Sequence, residues 1–173
     1  MKKFTLALFL TVIAVTGAFA EHHSGSSIGF VVKPYFEWDH FEAENMFGVS
    51  FRSQPIPLNW AFCVDWKRDG FYLSLTGDEY IIDTDLISGV NFGFFLGLGL
   101  YTGITYMESV DLSLFNVGVR LPVGFYVIPG NFLEIYINAA PSLGLGIYLG
   151  NTKDTFRFPD GSLSVEFGLR VWY

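Results

Sequence analysis

A long alternation of apolar residues with small or polar ones is the feature of this sequence that most constrains its fold. From Val90 to Leu100 every even-numbered position is apolar, whereas glycine predominates at the odd-numbered positions. Successive side chains of a β-strand point to opposite faces, so this segment predicts a strand with one continuous apolar face.

Seven further segments alternate in the same way, and charged or turn-forming residues separate them. With the first segment they predict eight strands, near residues 28–37, 45–52, 60–66, 71–83, 90–103, 115–127, 133–147 and 163–173. The connections are short, which is typical of antiparallel neighbours, so the expected order is an up-and-down meander.

Irregularities are predicted at four points within these strands. The apolar phase of the fourth strand changes partway along, which indicates a bulge at Gly77-Asp78. Pro34, Pro122 and Pro141 lack the N–H that a ladder hydrogen bond needs, so a local bulge is also expected at each.

The N-terminal segment is predicted to be a cleaved secretory signal peptide. Two lysines precede an apolar run that ends in the tripeptide Ala-Phe-Ala. A charged start, an apolar middle and small residues at the cleavage site are the signature of such peptides. We therefore expect residues 1–20 to be the signal peptide and residues 21–173 to form one folded domain.

Two kinds of antiparallel barrel fit eight such strands. A soluble lipocalin-like barrel keeps apolar side chains inside around a ligand, whereas a transmembrane barrel turns them outward and encloses polar ones. Charged residues make up 16% of the chain and hydrophobic residues 51%, which is sparse in charge for a soluble protein. In lipid the strands must close, because an open edge would leave N–H and C=O groups unsatisfied. The sequence thus predicts an all-β fold, an eight-stranded antiparallel up-and-down transmembrane β-barrel.

The charged residues on the small-residue face of these strands number four of each sign. They are Lys33, Glu37, Arg52, Asp65, Arg120, Glu134, Glu166 and Arg170, and we call them the predicted lumenal charge network. An isolated buried charge costs several kcal/mol, so we expect these groups to pair, with Arg120 held by Glu166 or Glu134. Because eight strands leave an interior just filled by side chains, the network is expected to plug the barrel.

The C-terminal residues resemble a known signal. Glu166, Gly168, Val171 and Tyr173 are similar in pattern to the C-terminal insertion signal of bacterial outer-membrane barrels. In length and layout the chain also resembles the small eight-stranded barrels of the OmpA membrane domain and OmpX type. The resemblance implies a monomer in the cell outer membrane. The partners that it implies are outer-membrane lipid and lipopolysaccharide, with the barrel-insertion machinery and periplasmic chaperones during biogenesis.

The candidate chemistry is limited. The net charge of −7 argues against a nucleic-acid partner. The three histidines, His22, His23 and His40, do not stand at motif spacing from a nucleophile, so we expect no catalysis, metal or cofactor. The expected role is structural or surface-presenting. Three alternatives remain open: a narrow pore or channel for small hydrophobic molecules, a periplasmic soluble lipocalin-like barrel that binds a ligand, and a lipid-modifying enzyme at the outer rim that uses His40.

Overall fold

Nine antiparallel β-strands make up most of the described structure. The computed structural model describes residues 25–37, 43–54, 56–67, 69–87, 89–108, 112–150 and 155–173. The strands are β1 (Ser27–Glu37), β2 (Ala43–Ser53), β3 (Ile56–Lys67), β4 (Gly70–Ile87), β5 (Phe92–Met107), β6 (Leu112–Arg120), β7 (Val123–Val127), β8 (Leu133–Gly150) and β9 (Phe156–Trp172). The predicted signal peptide and the three histidines lie outside the described residues.

The strands form one closed ring. Each strand from β1 to β5 pairs with the next along the chain, and β1 also pairs with β9. Both β6 and β7 lie between β5 and β8, and they pair with different parts of those two strands. The all-β antiparallel prediction is confirmed, whereas the predicted count of eight strands is wrong. Nine strands fill eight positions around the ring, because the predicted strand over 115–127 is divided in two.

The division falls at Leu121-Pro122, and proline chemistry explains it. Pro122 has no N–H to donate to a ladder. The backbone N–H of Leu121 donates to the carbonyl of Pro141 at 3.0 Å, and that of Gly97 donates to the carbonyl of Pro122 at 2.8 Å. These two hydrogen bonds connect the interrupted strand to both of its neighbours. Pro141 lies opposite the interruption and needs no bulge, so the bulge predicted there is wrong.

Two other predicted irregularities are also wrong. Pro34 pairs with Asn45 in unbroken register, and Gly77 and Asp78 continue the ladder with β3. The shift in β4 comes later, between Tyr80 and Ile82. Alternation holds through Tyr80, whose ring stacks inside the ring of strands on Phe95 at 4.2 Å. The shift then turns Ile82 outward, where it is 46% exposed.

Inward-facing tyrosines fill space that neighbouring glycines leave. The ring of Tyr136 occupies the position that a side chain at Gly168 would need. Tyr72 lies over Gly103 on the adjacent strand in the same way. Without a Cβ, glycine permits this close approach, so the small-residue face noted in the sequence accommodates the large residues that fill the interior.

The outward wall is apolar and the interior is polar. Phe30 is 52% exposed and Leu100 is 67% exposed, whereas Arg120 is 1% exposed and Glu134 is completely buried. This arrangement is the reverse of the usual distribution in a soluble domain. In the described part of the chain, no helix is both long and apolar enough to cross a membrane.

Candidate functional site

The most distinctive group of side chains lies around Arg120 in the interior. Arg120 pairs in the ladder with Gly99, and Gly99 pairs with Asp78, so a glycine separates the cation from the first carboxylate. The Nε atom of Arg120 lies 3.2 Å from Oδ1 of Asp78. Its Nη2 atom lies 2.8 Å from Oε1 of Glu166 on β9. One guanidinium therefore contacts two buried carboxylates.

Glu166 carries further contacts that extend this group. Its Oε2 atom accepts a hydrogen bond from Nδ2 of Asn138 at 2.9 Å. Its Oε1 atom lies 3.9 Å from Nζ of Lys33, which itself donates to Oγ of Ser74 at 3.1 Å. We call Lys33, Asp78, Arg120 and Glu166 the central ion-pair group. It holds two positive and two negative charges, so the group as a whole is neutral.

A second group surrounds Arg170. Arg170 and Glu134 are direct partners in the ladder between β9 and β8, and Nη2 of Arg170 donates to Oε1 of Glu134 at 2.6 Å. The other oxygen of Glu134 accepts from the indole N–H of Trp172 at 2.8 Å. Arg170 also donates to Oδ1 of Asn59 at 2.6 Å, and its guanidinium lies 4.4 Å from the ring centre of Tyr136. Burial of this charge pair is thus accompanied by hydrogen bonds on both partners.

A third group lies nearer the end of the ring at which β1 ends and β9 begins. Nη1 of Arg157 donates to Oε2 of Glu37 at 3.0 Å, and its Nε lies 3.3 Å from Oδ1 of Asp160. The second oxygen of Asp160 accepts from Nδ2 of Asn116 at 2.8 Å. Arg157 and Glu37 are more exposed than the central residues, at 18% and 29% of their side chains.

The predicted lumenal charge network is therefore divided by the structure. Lys33, Arg120 and Glu166 meet in the central ion-pair group, and Glu134 and Arg170 meet in the second group. Glu37 belongs to the third group.

Two predicted network residues stand apart from these groups. Arg52 lies 5.8 Å from the ring centre of Trp172 and forms no ion pair with a described residue. Asp65 lies 3.9 Å from Lys67 in a more exposed position.

Sequence reasoning missed three members: Asp78, Arg157 and Asp160. Asp78 was assigned to a bulge, although unbroken alternation from Leu73 and Leu75 would have placed it inside. Arg157 and Asp160 lie in a stretch read as a connection, whereas β9 already begins at Phe156.

The residues of the predicted C-terminal insertion signal lie on β9 and just after it. Glu166 and Gly168 face the interior, and Val171 is 42% exposed on the outward wall. Tyr173 follows the strand and is 79% exposed. The even-numbered residues of the signal therefore face the interior and the odd-numbered ones face outward, as expected for successive positions along a strand.

The chemistry available to these groups is ionic and hydrogen-bonding. In the described residues, no group of three or more His, Cys, Asp or Glu side chains is placed to hold a metal ion. Each carboxylate of the central ion-pair group faces a basic side chain. Such an arrangement joins strands on different sides of the ring.

A closed antiparallel ring with an apolar wall and an ionic interior defines a barrel-like all-β protein. The chain belongs to the family described as "Protein of unknown function (DUF3996)", whose pattern matches residues 62–168. The match includes Asp78, Arg120, Glu134 and Glu166. A comparison with curated proteins gives no match.

Proposed function

We propose that the protein is an integral outer-membrane β-barrel with a structural or surface-presenting role and without catalysis. In this proposal residues 1–20 are a signal peptide that directs secretion across the inner membrane. The ring then crosses the bilayer as a monomer, as the resemblance to OmpA-type and OmpX-type barrels implies. Outer-membrane lipid and lipopolysaccharide surround it, and the insertion machinery and periplasmic chaperones assist its assembly.

The observation that carries the proposal is the exposure of the apolar wall. Large apolar side chains on every strand face outward, among them Phe30, Phe62, Leu100 and Phe167. Contiguous apolar surface of this extent is unfavourable in water but matches the hydrocarbon of a bilayer. Closure of the ring satisfies the backbone groups that lipid cannot hydrogen-bond. A lipocalin-like barrel would instead direct these side chains inward.

The interior supports a plug more than a pathway. Arg120, Arg170, Phe95, Met46 and Glu134 are among the largest fully buried side chains, and they occupy the middle of the ring. A ring with eight positions has an interior that side chains of this size fill. We therefore expect the protein to conduct no measurable ionic current.

Membrane fractionation combined with gel electrophoresis tests the proposal. The full-length protein should float with the outer-membrane fraction, and its gel mobility should change after boiling, because a closed barrel resists detergent until it is heated. Recovery in the aqueous periplasmic fraction with unchanged mobility would refute the proposal in favour of a soluble barrel. A steady single-channel conductance in planar bilayers would contradict the plugged interior and would favour a narrow pore.

A further inference from the structure

The outward wall of the described strands contains one charged residue. Glu79 is flanked along β4 by the inward-facing Asp78 and Tyr80, so its own side chain faces outward, where it is half-buried. In the ladder it pairs with Leu98 of β5. It forms no hydrogen bond or ion pair with any residue that the structure describes.

The carboxylate lies where the ladder between β3 and β4 ends, because Asp78 is the last residue of β4 that pairs with β3. Beyond Glu79, β4 continues to Ile87, with Ile82 and Leu86 exposed on the outside. Beyond Leu98, β5 continues back to its first residue, Phe92. A charged side chain among acyl chains is costly unless a counter-charge accompanies it. If the wall faces lipid, a cation from outside the described residues stabilises the charged form of Glu79.

An apolar groove opens on the same wall. It has a volume of about 240 Å³ and runs across β3, β4, β5 and β6. Its sides are formed by Phe62, Leu73, Leu75, Ile104 and Phe115, and the smaller Thr102 lies between them. The groove and the carboxylate are close along β4, because Gly77 alone separates Leu75 from Glu79 on the outward face.

Trp60 occupies the space between the two features. Its ring lies against Gly77, where an added Cβ would come within 2.9 Å of it, and it stacks on Phe51 with ring centres 6.4 Å apart. Indole side chains are enriched where acyl chains meet headgroups, because their rings are amphipathic. Trp60 is thus placed between the apolar groove and the carboxylate of Glu79.

We propose that the outward face of β3 to β5 binds one phospholipid whose headgroup carries a primary amine. The ammonium group pairs with Glu79, the region next to the headgroup packs on Trp60, and an acyl chain lies in the groove at Thr102. This inference rests on the proposed function, since it requires the wall to face lipid.

Charge complementarity identifies the occupant. On the described strands every Lys and Arg stands at an inward-facing register position, so the described strands of a second copy offer no outward cation to Glu79. A primary ammonium headgroup supplies the positive charge together with N–H donors for the carboxylate, which a quaternary ammonium lacks. Its attached chain supplies the apolar surface that the groove needs. An anionic headgroup would be repelled by the same carboxylate.

Lipid retention by the reconstituted full-length chain tests this assignment. The protein is inserted into phosphatidylcholine vesicles that contain equal fractions of phosphatidylethanolamine and phosphatidylglycerol, and native mass spectrometry measures the lipids that remain bound. Wild type should retain phosphatidylethanolamine in preference to the other two lipids. Glu79→Gln should reduce this preference roughly fivefold, as expected for loss of one charge pair near a membrane surface. Thr102→Leu, which fills the groove, should lower retention of all three lipids.

Matched controls keep the two proposals distinguishable. Glu108→Gln changes an exposed carboxylate beyond the end of β5 and should leave lipid retention at the wild-type level. Every variant is first checked for flotation with the vesicles; failure of wild type to float would refute the membrane proposal itself. Floating protein in which Glu79→Gln retains the full amine preference would refute only the lipid site. If wild type forms a dimer and Thr102→Leu dissociates it, a second copy of the chain is the occupant of the groove and the inference is overturned.

Discussion

Arg120 and Glu166 form an ion pair of 2.8 Å between strands that are not neighbours in the ring. β8 lies between β6, which ends at Arg120, and β9, which carries Glu166. The pair therefore spans part of the interior instead of following a ladder. Together with Asp78 on β4, it connects three separate parts of the wall through one guanidinium.

Removal of Arg120 should destabilise the protein strongly. Arg120→Met leaves Asp78 without its guanidinium partner, and Lys33 at 3.9 Å is then the described cation that remains beside Glu166. Breaking a buried pair by removing one partner costs about 3–5 kcal/mol, because the remaining charge is uncompensated. The free energy of unfolding, measured by urea titration in detergent micelles, should fall by that amount.

A charge-balanced double variant is the control for this prediction. Arg120→Met combined with Glu166→Gln removes one charge of each sign, so Lys33 and Asp78 remain as a balanced pair. The double variant should be more stable than Arg120→Met alone. Equal stability of the single and double variants would mean that packing, and not charge, accounts for the loss.

The second ion-pair group predicts a similar effect at Glu134. Glu134→Gln removes the charge that accepts from Arg170 at 2.6 Å, while it preserves most of the shape of the side chain. We expect a loss of about 3 kcal/mol in unfolding free energy. Glu108→Gln, at an exposed position, should change stability by no more than about 0.5 kcal/mol. A loss at Glu134 no larger than that of this control would contradict the role assigned to the pair.

Packing of tyrosine on glycine predicts a large effect from one methyl group. In Gly168→Ala the new Cβ coincides with the ring of Tyr136, so the ring or the strand must move. Overpacking of this kind costs about 1–3 kcal/mol. Gly89→Ala is the matched control, because nothing lies within 4 Å of the added Cβ there. Both variants can be compared by the temperature at which the gel mobility changes.

A second substitution separates overpacking from a backbone effect at Gly168. Tyr136→Leu removes the part of the ring that the new methyl group meets. Gly168→Ala should therefore cost less in the Tyr136→Leu background than in wild type. An unchanged cost would locate the effect of Gly168→Ala in the backbone instead.

A charge on the outward wall distinguishes lipid from water as its surroundings. Leu100 lies midway along β5 and is 67% exposed. In a bilayer Leu100→Arg should cost about 2–4 kcal/mol, whereas the same change at Val90, in the turn between β4 and β5, should cost at most about 1 kcal/mol. Unfolding free energies in vesicles of fixed composition provide the measurement. A negligible cost at both positions would favour a water-exposed wall.

The comparison of sequence and structure shows what alternation determines. It places Lys33, Arg120, Glu134, Glu166 and Arg170 on the inner face, because side-chain direction depends only on parity within a strand. Alternation does not determine which carboxylate pairs with which arginine. Of the two carboxylates that the sequence offered to Arg120, Glu166 pairs with it, while Glu134 pairs with Arg170. That choice depends on the stagger of neighbouring strands, which parity does not specify.

Local sequence features explain why two of the interior charged residues were not predicted. Asp78 was not predicted to face the interior because the bulge of the fourth strand was expected at Gly77-Asp78. The structure places the register shift later, between Tyr80 and Ile82. Arg157 was not assigned to a strand because Pro159, Gly161 and the charges beside them are typical of a loop, although pairing with β8 holds Arg157 in β9. In both cases tertiary pairing overrides the local signal.

Closure through β1 and β9 has a consequence for how the molecule reaches its final form. These are the first and last strands of the described chain, and they pair along most of their length. Until β9 has been synthesised, β1 retains an unpaired edge that is prone to aggregation. Contacts between such distant segments also form slowly, because a long stretch of chain must be ordered first. Acquisition of the closed state is therefore a late event that has to wait for the synthesis of β9.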